Sequence, residues 1–406
     1  MRICLLCYRG NPYCGGQGIY LRYVAEELLQ QGHEVHVIVG PPYPVLKEGI
    51  TVHYISNNEY FVKKKRSPIN QNAPFDIFKP INYYEYFSTR FKIFSEITAF
   101  SIRAYLKLRE LTKEIKFDII HDNQCLGYGL ILMKSLGIPI IATIHHPLHI
   151  DLEKLVQVPS SFSSKFQTVM FYPILMQRIV SPRLDHVIAV SENSRQMANR
   201  YLKVPIEKQT VVYNGLDRSI FYPRKGIKRK KGKLVFVGNI EDRKKGFLYL
   251  LMAMKYLDDD VYITAVDGGS PHRKKTMQFI KKLGLKDRIE FTGKVDNDEL
   301  VKHYCESELA IVPSVYEGFG FPAAEAMSCG VPVISSDGGA LPEVVGDSGI
   351  VVPAEDEKAI AQAINSVISD KKRLKEMGEK GIERVREHFN WENAVNRMIE
   401  VYSRFI

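Results

Sequence analysis

The chain has no uninterrupted apolar run of about eighteen residues, so no membrane-spanning helix is expected. Cysteines are few, six in 406 residues, and sit mostly in apolar segments. Cys4 and Cys7 form a C-x2-C pair, but inside a strand-like run and without a second pair. Core packing in a reduced cytoplasm is therefore expected, not a zinc or redox centre. Repeats and low-complexity segments are absent. No Asp-x-Asp motif stands in a metal-binding context, since Asp258-Asp259-Asp260 falls in a loop, so no metal is expected. The first residues, Met1 to Cys7, lack a small-residue cleavage site and read as a first strand. Acid is also in deficit: 46 Asp and Glu stand against 56 Lys and Arg, a net charge of +10. That balance favours an acidic partner such as a nucleoside diphosphate, an anionic membrane face or nucleic acid. No recognisable nucleic-acid module accompanies it, so nucleic acid is not expected.

What is present is alternation. Apolar strands at 3–8 and 35–39 flank a helix with Leu21, Val24 and Leu28 on one face, closed by Gly32. Further strands read at 119–121, 138–144 and 187–190. A second series reads at 234–237, 261–266, 289–292, 309–312 and 331–335, with helical patterns between. Such alternation predicts an α/β protein with two parallel, doubly wound sheets. The seam is placed after Asp217, where the basic, breaker-rich stretch 222–232 reads as a connector. Residues 57–100 break the alternation: Lys63-Lys64-Lys65-Arg66 precedes Phe75, Phe78, Tyr83, Tyr84, Tyr86, Phe87, Phe91 and Phe94. Two readings fit, a helical insertion with its aromatics packed inward, or a dock for an anionic membrane. A second aromatic region runs from Phe162 to Ile179.

The densest cluster of functional residue types is Glu317-Gly318-Phe319-Gly320-Phe321-Pro322, continuing to Glu325 and Gly330. It follows the apolar strand Leu309–Val312. Pro322 suits the first helical position and Gly330 the stop, which puts Glu325 in the first turn. Small residues allow close approach of a ligand, and free N–H groups at a helix start favour an anion. A carboxylate on each flank can accept hydrogen bonds from sugar hydroxyls. Gly15-Gly16-Gln17-Gly18 lies between the first strand and helix but lacks full dinucleotide spacing. His145 ends a strand, where parallel sheets place ligands. His146 follows, and on an extended strand the two would face opposite ways.

These residues resemble the E-x7-E signature of family 4 retaining glycosyltransferases, with Thr292-Gly293-Lys294-Val295, Pro313-Ser314, Pro332-Val333-Ile334 and Glu343-Val344-Val345 in the same order. The resemblance implies a GT-B fold: an acceptor-binding Rossmann-like domain over 1–218, a nucleotide-sugar-binding one over 219–389, and a facing cleft between them. It implies that a last helix within 390–406 packs back on the first domain. It also implies retention of anomeric configuration, a nucleoside diphosphate sugar donor, a sugar or lipid-linked acceptor and no cofactor. Glu317, His145 and Lys245 become the catalytic candidates. Gly15, Gly16, Asn239, Arg243, Lys245, Gly318, Phe319, Gly320, Phe321 and Glu325 become the donor-binding candidates. One departure stands out. In Val237-Gly238-Asn239, the family has arginine where this chain has Asn239, so a charge is missing unless Arg243 or Lys244 supplies it. A sugar-nucleotide-binding subunit without turnover, and an epimerase, are the rival expectations.

Overall fold

The computed structural model describes residues 1–10, 16–56, 79–90, 95–150, 152, 173–268 and 273–406. The basic run 63–66, most of the aromatic stretch 162–179, Phe75, Phe78, Phe91, Phe94 and Gly15 lie outside the described residues. No helix among the described residues is long and apolar enough to cross a membrane.

The chain divides into two compact units. The first comprises Met1–Val190, Ser194–Val212 and Val395–Ile406; the second comprises Ser191–Asn193 and Tyr213–Ala394.

In the first unit, strands β1 (Arg2–Cys7), β2 (Glu34–Val39), β3 (Thr51–Tyr54), β4 (Ile119–Asn123), β5 (Ile140–Ile144), β6 (His186–Ala189) and β7 (Gln209–Val211) form one sheet in the order β3-β2-β1-β4-β5-β6-β7. Every pairing is parallel. The central strands β4 and β5 are buried along their whole length, as parallel strands covered on both faces must be. Around them pack Leu6, Phe100, Leu108, Leu130 and Val187.

The second unit holds β8 (Lys233–Val237), β9 (Tyr262–Val266), β10 (Ile289–Phe291), β11 (Leu309–Val312), β12 (Val333–Ser336) and β13 (Ile350–Val352), ordered β10-β9-β8-β11-β12-β13. These pairings are also parallel. Phe236, Phe247, Leu250, Ile263 and Ile364 lie in its core.

Both sheets reverse their strand order once, between β1 and β4 in the first and between β8 and β11 in the second. Ligands of open parallel sheets bind outside the carboxyl ends of the strands at such a reversal. The loops after β1, β4, β8 and β11 are thus the places to look.

The end of the chain belongs to the first unit. Helix Trp391–Tyr402 contributes Met398 and Tyr402, both fully buried. Tyr402 pairs with His121 Nδ1, and His121 Nε2 lies 2.7 Å from Thr143 Oγ1. Thr143 is 2.7 Å from the Tyr20 hydroxyl, which donates to Met398 Sδ at 3.7 Å. Burial lowers the His121 pKa to about 3, so its ring is neutral and carries one proton. Only one direction satisfies every group: Tyr402 donates to His121, His121 to Thr143, Thr143 to Tyr20 and Tyr20 to the Met398 sulfur. The chain of bonds begins and ends on one helix, four residues apart.

Candidate active site

In the second unit, β8 runs into the loop Gly238–Gly246 and β11 into Pro313–Gly320. The first loop is braced by its own side chains. Asn239 Oδ1 accepts from the Glu241 N–H at 3.0 Å, and Asp242 Oδ1 accepts from the Lys244 N–H at 2.9 Å. The second is held by the Val315 N–H donating to the Lys244 carbonyl at 2.7 Å. Gly246 has φ +69°, and a Cβ there would stand 1.8 Å from the Pro313 oxygen. The two loops can approach this closely only over a glycine.

The approach brings Lys245 and Glu317 together. Lys245 Nζ donates to Glu317 Oε1 at 2.7 Å, and Ser314 Oγ donates to the same oxygen at 2.8 Å. The main chain of Glu317 forms a parallel bridge with Gly339, and its carbonyl accepts from the Ala340 N–H at 2.9 Å. A cation and a carboxylate, 72 residues apart in sequence, thus sit at the strand-order reversal. Both are incompletely buried, with side-chain exposures of 27% and 12%. An anion arriving here would find Lys245 already oriented.

The helix after β11 spans Phe321–Ser328, so Pro322 is its second residue and Glu325 its fifth. Glu325 is therefore in the second turn, not the first as the position of Pro322 suggested; no acid stands in the first turn. Gly320 is the N-cap and offers no side chain, which leaves the helix start uncapped. At the other end, Gly330 takes φ +73°; its N–H bonds Met327 O at 2.9 Å, and the Val331 N–H bonds Ala326 O at 2.9 Å. This is a left-handed glycine stop. Phe319 is buried and packs edge-on against Phe321 and Phe389, so its ring serves the packing of the loop and is not offered to a ligand.

Glu325 keeps part of its surface accessible. Its carboxyl is nonetheless enclosed, and burial raises its pKa to about 7 against smaller opposing effects from the Tyr304 hydroxyl and Lys245. Tyr304 donates to Glu325 Oε2 at 2.8 Å. Tyr304 and Ser314 were not singled out as site residues from sequence. Tyr304 lies within a helical pattern and Ser314 reads as part of a turn, and neither position signals a hydrogen bond to a carboxylate. Arg243 is exposed, and its charge bears on Tyr249, which itself bonds Glu355 at 2.5 Å. Asn239 has turned its oxygen into its own loop, which leaves its Nδ2–H group as the donor it can offer.

In the first unit, Gly16 is the first residue of helix Gly16–Gln30 and not part of the preceding loop. His145 follows β5 and is held from two sides. Its Nε2 lies 2.8 Å from Asn123 Oδ1, and its main-chain N–H donates to Gln124 Oε1. Asn123 Nδ2 donates to the Gln17 carbonyl at 2.8 Å, which orients the amide so that Oδ1 accepts. His145 therefore carries its proton on Nε2, and Nδ1 keeps a lone pair. The ring of Tyr20 stands edge-on, 4.9 Å between centroids. Burial, with lesser repulsion from His146 and His121, lowers the His145 pKa to about 3. This imidazole is a neutral acceptor, suited to a hydroxyl. Asn123 and Gln124 were not singled out; the signal was a polar pair ending a buried strand at the order reversal. Among the described residues no group of three or more His, Cys, Asp or Glu is placed to hold a metal ion.

The profile described as Glycosyltransferase Family 4 matches residues 14–220, and that described as Glycosyl transferases group 1 matches residues 217–384. The chain belongs to glycosyltransferase family 4. A relative from Mycolicibacterium hassiacum, an MMP alpha-(1->4)-mannosyltransferase, is 32% identical, covering 100% of this chain and 98% of its own. Among solved structures, sucrose-phosphate synthase of Thermosynechococcus elongatus superposes with a TM-score of 0.75 at 22% identity, covering 99% of this chain and 98% of its own. Anabaena HepE in complex with UDP-glucose superposes with a TM-score of 0.71 at 19% identity, with 100% of both chains covered. The architecture is the GT-B fold, and this family 4 member is a glycosyltransferase.

Proposed function

We propose that this glycosyltransferase moves a sugar, with retention, from a nucleoside diphosphate sugar to a hydroxyl of a cell-envelope glycan, glycolipid or similar glycoconjugate. The reading rests on Lys245 and Glu317 meeting at the strand-order reversal of the second unit, beside an uncapped helix start. The HepE structure with UDP-glucose and the mannosyltransferase relative support it as analogies. The second unit, from about residue 219 to 389, would bind the donor, and the first, with the end of the chain, the acceptor. Lys245, the amide of Asn239 and the N–H groups from Gly318 to Phe321 would take up charge growing on the departing diphosphate. Glu317 would orient sugar hydroxyls, the lone pair of His145 Nδ1 would accept one more, and the departing phosphate would take the acceptor proton. A thermal-shift panel of nucleotide sugars identifies the donor, since a ligand bound only to the fold raises its stability. Transfer to an acceptor, followed by assignment of the product's anomeric configuration, tests the rest. Because the diphosphate's charge is met by protein groups, turnover is expected to persist in EDTA; loss restored by magnesium or manganese would refute that assignment.

Glu325 is proposed to bind the ribose as a carboxylate. With its pKa raised to about 7, the free protein must give up a proton to do so. Affinity for a nucleotide sugar, whose phosphates do not titrate in this range, is expected to fall roughly twentyfold between about pH 7.5 and about pH 5.5. The same raised pKa stabilises the fold most below the ordinary value of 4.5, and that contribution is lost as pH rises through about 7. Calorimetric titration across this window, with Glu325→Gln as the pH-insensitive control, tests the assignment. A flat profile in the parent protein would remove Glu325 from the binding step.

We also propose an anionic membrane face on the cytoplasmic side as a partner, motivated by Lys63-Lys64-Lys65-Arg66 and the net charge of +10. Each basic residue near such a surface contributes about 1 kcal/mol. Co-sedimentation with anionic but not neutral vesicles, weakening with salt, is the expected result. A protein that stays in the supernatant at low salt would end the idea.

A further inference from the structure

Away from the strand-order reversal, the second unit holds a cavity of about 270 Å³ lined by Arg224, Arg229, Cys305, Cys329, Lys375 and Ile382, among others. It sits where two helices finish. Cys305 is the last residue of helix Asn297–Cys305, and Cys329 caps the end of helix Phe321–Ser328. The Cys305 thiol donates to the Tyr222 carbonyl at 3.9 Å, and Cys329 lines the same cavity. The Arg224 N–H also points at Cys305 Sγ, at 3.5 Å. The two guanidinium groups are fixed: Arg224 Nη2 donates to Asp298 at 2.8 Å, and Arg229 Nη2 to the Gly330 carbonyl at 2.5 Å. Lys375 and Glu379 are an ion pair at the rim, 3.8 Å apart. One main-chain N–H directed at the Cys305 sulfur, two guanidinium groups and a second thiol thus share one cavity.

All five described cysteines are buried, Cys305 at 8% exposure and Cys329 at 4%. In Cys4, Cys7 and Cys125 of the first unit burial raises the thiol pKa, that of Cys7 to about 12. Cys305 moves the other way, to about 6, chiefly through the neighbouring Cys329 thiol, against an opposing effect of burial and with smaller help from Arg224 and Arg229. Cys329 is correspondingly raised. A thiolate is the reactive form of cysteine, and electropositive, partly open surroundings select it. Nothing in the sequence pairs Cys305 with Cys329; their sharing of one basic cavity emerges only in the fold.

We propose that Cys305 and Cys329 form a two-thiol reaction site for small anionic disulfides that enter this cavity. The Cys305 thiolate attacks one sulfur of the incoming disulfide, a mixed disulfide forms, and the first thiolate leaves and takes a proton from water. Cys329 then loses its proton to solvent and attacks the Cys305 sulfur; the internal disulfide forms and the second thiolate leaves. The protein gives up two electrons and the Cys329 proton, and the small disulfide is reduced to two thiolates, which take up protons from water according to pH. Arg224, Arg229 and Lys375 favour an anionic reagent, which sets this site apart from a merely accessible thiol.

The test uses the folded full-length protein and two reagents: dithiobis(nitrobenzoate), which carries two carboxylates, and the neutral hydroxyethyl disulfide. Each rate is divided by that of a free small thiol, which removes the reagents' intrinsic reactivity. The anionic reagent is expected to react at Cys305 about tenfold or more faster on this scale, and Arg229→Gln is expected to shrink that ratio. Peptide mapping separates Cys305 from Cys14, which lies outside the described residues. In the parent protein the product is a Cys305–Cys329 disulfide with both reagent thiols released. In Cys329→Ser the reaction stops at a mixed disulfide on Cys305, and in Cys305→Ser position 329 stays unmodified. A Cys305 that labels only after denaturation overturns the proposal. A normalised ratio near one, or a parent protein that halts at the mixed disulfide, overturns the anion-selecting or the two-thiol part respectively.

Discussion

Lys245→Ala is expected to lower turnover about a hundredfold or more, comparable with removing one preorganised donor from a site of developing negative charge. The reason is placement. Lys245 already reaches Glu317 at 2.7 Å, from a loop that Asp242 and Val315 hold in position. A leaving diphosphate gains negative charge as the sugar departs, so a fixed cation counts most in the transition state. The loss should therefore appear mainly in kcat, with a smaller rise in KM for the donor. Stability should change little, because the pair retains solvent contact and Ser314 still donates to Glu317. Steady-state kinetics with the donor found by thermal shift, beside a melting curve, separates the two effects. A near-normal rate would pass the role to Arg243 or Lys244, which would also explain how the site tolerates Asn239.

Gly246→Ala is expected to be the most damaging change to the second unit's fold. At φ +69° an alanine meets the left-handed penalty, and its methyl group would lie 1.8 Å from the Pro313 oxygen, a main-chain atom. Left-handed strain of roughly 1–2 kcal/mol and overpacking of roughly 1–3 kcal/mol combine to about 3 kcal/mol or more. For a unit of this size that corresponds to a drop in Tm of roughly 6–12 °C. Differential scanning calorimetry reads it directly. An unchanged melting temperature would mean that the loops after β8 and β11 can separate freely, and the explanation given for the Lys245–Glu317 contact would fall with it.

The buried strands were legible because a parallel strand covered on both faces is a short apolar run, and β1, β4, β5, β8, β9 and β11 all have that form. The strands that escaped were β3, β7 and β13. Each is a sheet edge of three or four residues, and none of the three is buried along its whole length; β3 and β7 carry no apolar run, and that of β13, Ile350-Val351-Val352, is only three residues long. The candidate residues Glu317, Lys245 and His145 were visible through their motifs. Their partners were not. Nothing in the spacing of residues 245 and 317 announces a contact; it follows from β8 and β11 being neighbours in the sheet. The turn occupied by Glu325 was misread by one because Pro322 serves at the second helical position as well as the first. The Cys305–Cys329 pair was hidden for a similar reason: two helix ends that meet in space carry no mark in the sequence.

The hydrogen-bonded ring from Tyr402 through His121, Thr143 and Tyr20 to Met398 has a consequence for how the protein is made. Ribosomes deliver the first unit's sheet early, yet three of the ring's five members then wait for two that are translated about 180 residues after residue 212, once the whole second unit has emerged. During that interval His121 and Thr143 have no stable burial, because a neutral imidazole sealed away without its donor is unfavourable by roughly 1–3 kcal/mol. The second unit, nearly continuous in sequence, can close first. Synthesis thus reverses the usual order in which the earlier part of a chain matures before the later. A nascent chain stalled before Met398 would expose an unfinished first unit to chaperones and proteases, while its second unit was already folded.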